Sequence, residues 1–263
     1  MRITMRMPKL CSRILLVSFA VVSCALVIFS REQNVGASAT PSPILVELFT
    51  SEGCSDCPPA DTFLRTLDSA QPIPGAQLIV LEEHVDYWDD GGWRDPFSSH
   101  AFTLRQGDYV NRMHLASAYT PQMIVDGAYQ FVGSDRRSAA KAFESARSVQ
   151  KSAVRITSLQ INGGELRAHV QADSISSKVD VIAALVSEHA ESQVLNGENG
   201  GHHLEHVAIV QMLTKIGSAG KGQAFSQDVR LGTKSFPKPG RLIVFLQEAN
   251  QGKVLGAAIE KFQ

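Results

Sequence analysis

The stretch that most constrains the fold is Cys54-Ser55-Asp56-Cys57, because of what stands on either side of it. Upstream, Ile44-Leu45-Val46-Glu47-Leu48-Phe49 is a short apolar run of the kind that forms a buried strand. Downstream, Pro58-Pro59 leads into Phe63, Leu64 and Leu67 at helical spacing. A Cys-x-x-Cys thus sits where a strand turns into a helix, and that context makes it a redox-site candidate. The first sulfur of such a pair faces the free N–H groups and the positive dipole end of the helix, which favour its thiolate; the second, one turn in, is shielded. This assigns Cys54 as nucleophile and Cys57 as the resolving thiol. A structural disulfide or half a metal site would use the same four letters.

The N-terminus says where the pair works. Arg2, Arg6, Lys9 and Arg13 precede an uncharged apolar run from Ile14 to Phe29, and Ala37-Ser38-Ala39 offers a small-residue cleavage site. That order predicts a signal peptide over residues 1–39 and export, to a bacterial periplasm or out of the cell. One alternative is an uncleaved anchor, although the apolar run falls short of the about 20 residues a span needs. The other is a lipoprotein signal at Val21-Val22-Ser23-Cys24, against which the apolar run continues to Phe29. Contact with a membrane is expected only through this segment, if it is uncleaved. Cys11 and Cys24 fall within it, so the exported chain keeps only Cys54 and Cys57, in a compartment where disulfides form. Without residues 1–39, Lys+Arg drops from 25 to 20 and Asp+Glu from 26 to 25, a net charge of −5. No basic patch remains for nucleic acid.

After Cys57 the chain reads as alternating strands and helices to about residue 150. Gln77–Val85 is a largely buried strand, and Asp95-Pro96 has the form of a helix N-cap and first position, opening helical sequence towards Ser117. Asp126-Gly127 between two apolar runs is a hairpin signal, and Ser134–Gln150 closes with a helix that buries Ala139, Ala142, Phe143 and Ala146. From Ala153 the texture changes to seven short strand-like runs separated by Gly, Asn and Pro turns, which predicts an all-β sandwich.

Thr120-Pro121 is the second element of the candidate site. Thioredoxin folds place a cis proline at the start of the strand facing the cysteine pair, where the preceding residue offers backbone groups to an extended substrate. An ordinary turn proline is the plainer reading. The fold expected is therefore an α/β thioredoxin-like domain over residues 43–150, with a helical insertion at about 94–118, followed by a β-sandwich-like domain over 151–263.

At these residues the chain resembles a known family. Leu48–Asp61, His84-Val85-Asp86-Tyr87-Trp88-Asp89, Gly92-Trp93-Arg94-Asp95-Pro96-Phe97, Tyr119–Gly127 and Asn196-Gly197-Glu198-Asn199-Gly200 are similar, in this order, to blocks of a secreted bacterial thioredoxin-like family, domain of unknown function 1223. The likeness covers roughly residues 43–260; Gly91-Gly92 and Gly201-His202-His203 depart from it. It implies fold and export and supplies no substrate.

Four further readings complete the candidate site. Glu47, an acid inside an apolar strand, is a candidate proton acceptor for the resolving thiol, since burial raises a carboxyl pKa; a solvated edge position is the alternative. Asp56, between the cysteines, opposes thiolate formation at Cys54 and predicts a less oxidising pair. Trp88 and Trp93, with Tyr87, either wall the thiol cleft and bind substrate or glue the inserted helix to the fold, and Asp86 or His84 is placed to assist proton transfer. His202-His203-Leu204-Glu205-His206 matches a metalloprotease pattern, but that chemistry needs a helix and the surroundings read as strand, so no metal site is predicted there. Together these residues predict an exported thiol–disulfide oxidoreductase, leaning to reductant or isomerase, that meets a protein thiol or disulfide in the cell envelope. It needs no cofactor beyond a redox-active Cys54–Cys57 disulfide. The alternative is a non-catalytic envelope binding or scaffold protein whose cysteine pair captures a soft metal.

Overall fold

The computed structural model describes residues 1–3, 40–233, 236 and 239–263. Apart from its first three residues, the expected leader lies outside the described residues, as do Cys11 and Cys24. Among the described residues no helix is long and apolar enough to cross a membrane.

The apolar run after Pro43 becomes β1 (Ser42–Thr50), buried on both faces. A helix, α1 (Pro58–Ala70), carries the chain back to β2 (Ala76–His84), which pairs parallel to β1 with Ile44 opposite Leu78 and Thr50 opposite His84. Pro58 opens α1, where its missing N–H costs little, and Gln71 closes it in a left-handed turn at φ 44°. On the other side of β1 lies β3 (Gln122–Val125), antiparallel, followed through an Asp126-Gly127 turn with both φ positive by β4 (Tyr129–Val132). Between β2 and β3 runs α2 (His100–Arg112), and α3 (Arg136–Arg147) follows β4. The remaining strands are β5 (Val154–Asn162), β6 (Glu165–Ala172), β7 (Val179–Gln193), β8 (His203–Ala219), β9 (Phe225–Gly232), β10 (Gly240–Glu248) and β11 (Val254–Phe262).

The expectation of an α/β thioredoxin-like domain followed by a β-sandwich-like domain is overturned by how these strands assemble. β11, β10, β7, β8, β2, β1, β3 and β4 are neighbours, in that order, in one eight-stranded mixed sheet. Four strands from the later part of the chain extend the sheet that holds β1–β4, and only β5, β6 and β9 form a separate three-stranded sheet. The seven later strands stand where alternation and turns put them, but pattern does not say which strand pairs with which. β2 meets β8 through a single ladder position, Glu82 opposite Ile209, and Glu82 Oε2 adds a side-chain link by accepting the Val207 N–H at 2.8 Å. β11 returns against β1 and β2, so one apolar core is shared by Phe49, Leu81 and Ile124 with Val186, Ile243 and Phe245. A second core packs the three-stranded sheet on β7 and β10 through Leu166, Val170 and Val229 against Leu185, Leu242 and Val244.

The inserted helix also starts later than expected. α2 begins at His100 with Ser99 as its cap, the Ser99 side chain accepting from the Ala101 N–H, and Gly107 does not interrupt it. Asp95 Oδ1 does accept the Phe97 N–H at 2.9 Å, but in a turn that does not run on into the helix, while Oδ2 is directed to His84 and to the backbone of Glu52.

Candidate active site

Cys54 and Cys57 are joined as a disulfide. Cys57 is the cap of α1: its carbonyl accepts the N–H groups of Ala60 and Asp61 at 2.8 and 3.1 Å, and its own N–H donates to Cys54 O at 3.2 Å. Ser55 and Asp56 are exposed, but Cys54 is only 2% exposed and Cys57 0%. The first sulfur is therefore far less open than the sequence suggests, because the loop is enclosed from two sides.

Trp88 supplies one side. A Cβ on Gly53 would stand 3.0 Å from Trp88 Cβ and 3.3 Å from its carbonyl, so glycine lets the loop lie against that residue at a distance where a side chain would press the two apart. The Trp88 indole donates to Thr120 Oγ1 at 2.8 Å, and the Thr120–Pro121 peptide is cis. Pro121 and Ala60 both abut Gly133, where a Cβ would come within 3.2 and 3.0 Å of their Cβ atoms. Cys54, Cys57, Trp88, Thr120 and Pro121 are thus gathered into one region, and Trp93 joins them by donating its indole N–H to Glu52 Oε2 at 2.7 Å.

The other side comes from the segment before β8. Asn199, itself buried, donates from Nδ2 to Glu52 O at 2.8 Å and to Cys54 O at 2.9 Å, and Glu198 Oε2 accepts the Ser55 N–H at 3.1 Å. The Asn196–Gly200 block is therefore part of the cysteine loop's support, which its distance in sequence concealed. Beside it opens a groove of about 540 Å³ between Ser55, Pro58 and Thr62 on one wall and Glu198, His202 and Leu204 on the other. Arg65 and Glu205 form an ion pair and belong to the same lining.

Beneath the loop lies a cluster of buried acids and histidines. Thr50, Glu82 and His84 share the face of the sheet that α1 covers, because side chains alternate along a strand. Thr50 Oγ1 donates to Asp61 Oδ1 at 2.7 Å. Burial first, then the negative charge of Glu82, pushes the Asp61 carboxyl up to about 7. Glu82 is buried too, which works against its charge, but the neighbouring His206, and then His84, outweigh burial and hold it down at about 2. His84 lies 2.7 Å from Asp95 Oδ2; burial disfavours a charged ring, and Asp95 overcomes that to lift it to about 9. His206 is likewise raised against burial by Glu82 and Glu52.

Glu47 stands elsewhere. It projects from β1 on the face opposite Leu48 and Thr50, where Arg105 Nε donates to its Oε1 at 2.7 Å and the Tyr109 hydroxyl to its Oε2 at 2.5 Å. Gln247 completes this network, with its Nε2 donating to the Tyr109 oxygen at 2.8 Å and its Oε1 accepting from Arg105 at 3.1 Å. Neighbouring Glu83 is raised well above the usual carboxyl range by burial and by the charge of Glu47. The buried acid close in sequence to Cys57 is instead Asp61, one helical turn on. Its signal was present: Asp61 falls on the buried stripe of α1 with Ala60, Leu64 and Leu67, a polar residue in an apolar phase. His202 to His206 is extended rather than helical, with Glu205 outward and His206 inward.

No curated protein matches the chain. A crystal structure of an Agrobacterium tumefaciens protein is similar, at 26% identity over 82% of this chain and 92% of that one, with a TM-score of 0.63. The sporulation control protein Spo0M of Bacillus subtilis is 11% identical over 43% of this chain and 47% of its own, with a TM-score of 0.28, and bears on neither fold nor site. The family model described as protein of unknown function, DUF1223, matches residues 45–247, a span that holds the cysteine loop, both tryptophans, Thr120-Pro121 and Asn199. The chain belongs to this family, DUF1223.

Proposed function

We propose that the chain is an exported thiol–disulfide oxidoreductase that exchanges its Cys54–Cys57 disulfide with a protein partner in the cell envelope. The observation that carries this reading is a disulfide at the start of α1 whose connecting residues, Ser55 and Asp56, are exposed beside a groove. In the reducing direction, the Cys54 thiolate attacks one sulfur of a partner disulfide, the partner's S–S bond breaks, and the displaced partner thiolate takes a proton. Cys57 then attacks Cys54 Sγ, forms the intramolecular disulfide and releases the second partner thiol. Two electrons pass to the partner, and a second protein dithiol restores the pair. Asp61 receives the proton of Cys57, and Thr120 and Pro121, with Trp88 and Trp93 behind the loop, form the surface against which the partner lies. The exposed charge of Asp56 disfavours the Cys54 thiolate, which favours a reductant or isomerase over a strong oxidant.

Insulin-disulfide reduction with dithiothreitol tests the activity: the wild-type chain should turn over insulin faster than Cys54→Ser, and equal rates would refute the proposal. A Cys57→Ala variant should hold its partner on Cys54 as a mixed disulfide that dithiothreitol releases.

A further inference from the structure

Three side chains under the cysteine loop aim their donor atoms at one point. Glu82 and His84 stand on β2 and His206 on β8, all at 0% exposure. One ligand atom from each lies within 4.8 Å of the other two. Glu82 Oε1 is 2.7 Å from His206 Nδ1 and 3.6 Å from His84 Nε2. Among the described residues His84 Nε2 has no hydrogen-bond partner. A buried polar atom left without a partner forfeits its hydration with nothing in return, so its orphan state asks for a ligand.

The outward nitrogens of both rings are held by carboxylates. His84 Nδ1 is 2.7 Å from Asp95 Oδ2, and His206 Nε2 is 3.3 Å from Glu52 Oε1. An imidazole fixed in this way through one nitrogen presents the other to a metal, and the carboxylate sets its orientation and basicity. The arrangement occurs twice around the same point. The carboxylates are fixed in turn: Asp95 Oδ2 accepts the Glu52 N–H at 2.8 Å, Glu52 Oε2 accepts the Trp93 indole, and the second oxygen of Glu82 accepts the Val207 N–H.

We propose that Glu82, His84 and His206 form a buried site for one divalent transition-metal ion of the zinc class, with Asp95 and Glu52 as its outer carboxylates. Two imidazoles and one carboxylate suit zinc or cobalt, whereas calcium and magnesium require oxygen donors. Neighbouring ligands of a tetrahedral zinc stand roughly 3.3 Å apart, given bonds of about 2.0–2.1 Å. The 3.6 Å separation of Glu82 and His84 is close to that, and the Glu82–His206 contact, at 2.7 Å, opens by roughly half an ångström or slightly more to admit the ion. The ion replaces the protons on the inward nitrogens, which leave to solvent. Because the ligands are closed off, the ion enters before β8 docks on β2, and it then stabilises a joint that has one backbone ladder position. The inference does not rest on disulfide exchange by the cysteine pair.

The test uses the full chain with its disulfide intact, so that thiolates cannot compete. The chain is unfolded in urea and refolded with equimolar Co²⁺ or Zn²⁺, and unbound ion is removed. One ion per chain should be retained by elemental analysis, cobalt should give the visible absorption of a four-coordinate nitrogen–oxygen site, and the thermal midpoint should exceed that of chain refolded in chelator. Asp95→Asn should weaken the ion about 10–100-fold, and His84→Ala should abolish retention. The surface variant His202→Ala/His203→Ala should retain the ion as wild type does. Wild-type chain that refolds without retaining an ion overturns the proposal regardless of any variant. So does retention that survives His84→Ala, or that disappears with His202 and His203.

Discussion

Replacing Asn199 by alanine should damage the cysteine loop without touching a cysteine. The buried Asn199 amide makes two hydrogen bonds, to Glu52 O at 2.8 Å and to Cys54 O at 2.9 Å. Each is worth about 1 kcal/mol net, and a buried carbonyl left without a donor costs a further ~1–3 kcal/mol. Cys54 O keeps a second donor, the Cys57 N–H, so only Glu52 O is exposed to that larger cost. The expected loss is therefore about 3–5 kcal/mol, read as a lower urea midpoint at unchanged slope. In the reduced protein the same change should speed alkylation of Cys54 by iodoacetamide, because the carbonyl that fixes its position is released. Asn199→Asp sets a carboxylate against two carbonyl oxygens; it should lose at least as much at pH 7 and recover part of the loss as the acid is protonated. A loss below about 0.5 kcal/mol for Asn199→Ala, with unaltered alkylation, would refute the view that the later part of the chain holds the loop.

Glu47→Gln removes the charge that Arg105 faces and should cost about 3–5 kcal/mol, the range for breaking a buried pair, while the alkylation rate of Cys57 stays unchanged; a slower Cys57 in a fully stable variant would return Glu47 to a catalytic role. Asp61→Asn keeps an acceptor for Thr50 but no proton carrier, so insulin reduction should slow about 10-fold or more, and a wild-type rate would remove Asp61 from the mechanism. Glu188 is held below its usual pKa by the hydrogen bond from Arg241, which also forks onto Asp68 of α1 at 2.6 and 2.8 Å. A depressed carboxyl contributes stability that is complete above its unfolded pKa of about 4.5 and is lost as pH falls through the lower folded value. Glu188→Gln should therefore be less stable than wild type at pH 7 by about 1–2 kcal/mol, and the gap measured by urea unfolding should close on acidification. A gap that persists undiminished at pH 2 would contradict the assigned cause.

The elements were more legible than their assembly. The apolar run before Cys54, the helix after it and the Asp126-Gly127 hairpin are local, and local signals of periodicity and turn chemistry found them. The later strands were equally visible one by one. What pattern could not disclose is that β8 joins β2, because that pairing depends on a buried glutamate and a histidine more than a hundred residues apart. The same blindness affected the site. Glu47 stood out as an acid in an apolar strand, but β1 is covered on both faces, and only the fold reveals that Glu47 turns to Arg105 and away from α1. Asp95 read as a helix cap because Asp-Pro commonly is one; one of its oxygens does cap the local turn at Phe97, but that turn stops short of the helix, and the other oxygen goes to a tertiary partner, His84. Asp61 lay in plain view in the first turn of α1, where an acid is ordinarily explained by the helix dipole.

The bond from Asn199 to Cys54 spans 145 residues of sequence. The cysteine loop can form its last hydrogen bonds only when that much more chain has been delivered, whereas the two cysteines are three residues apart and can oxidise at once. Covalent closure and conformational closure of the same loop are therefore separate events in the life of the chain. Between them the pair stands on a half-built support, open to whatever thiol chemistry its surroundings offer.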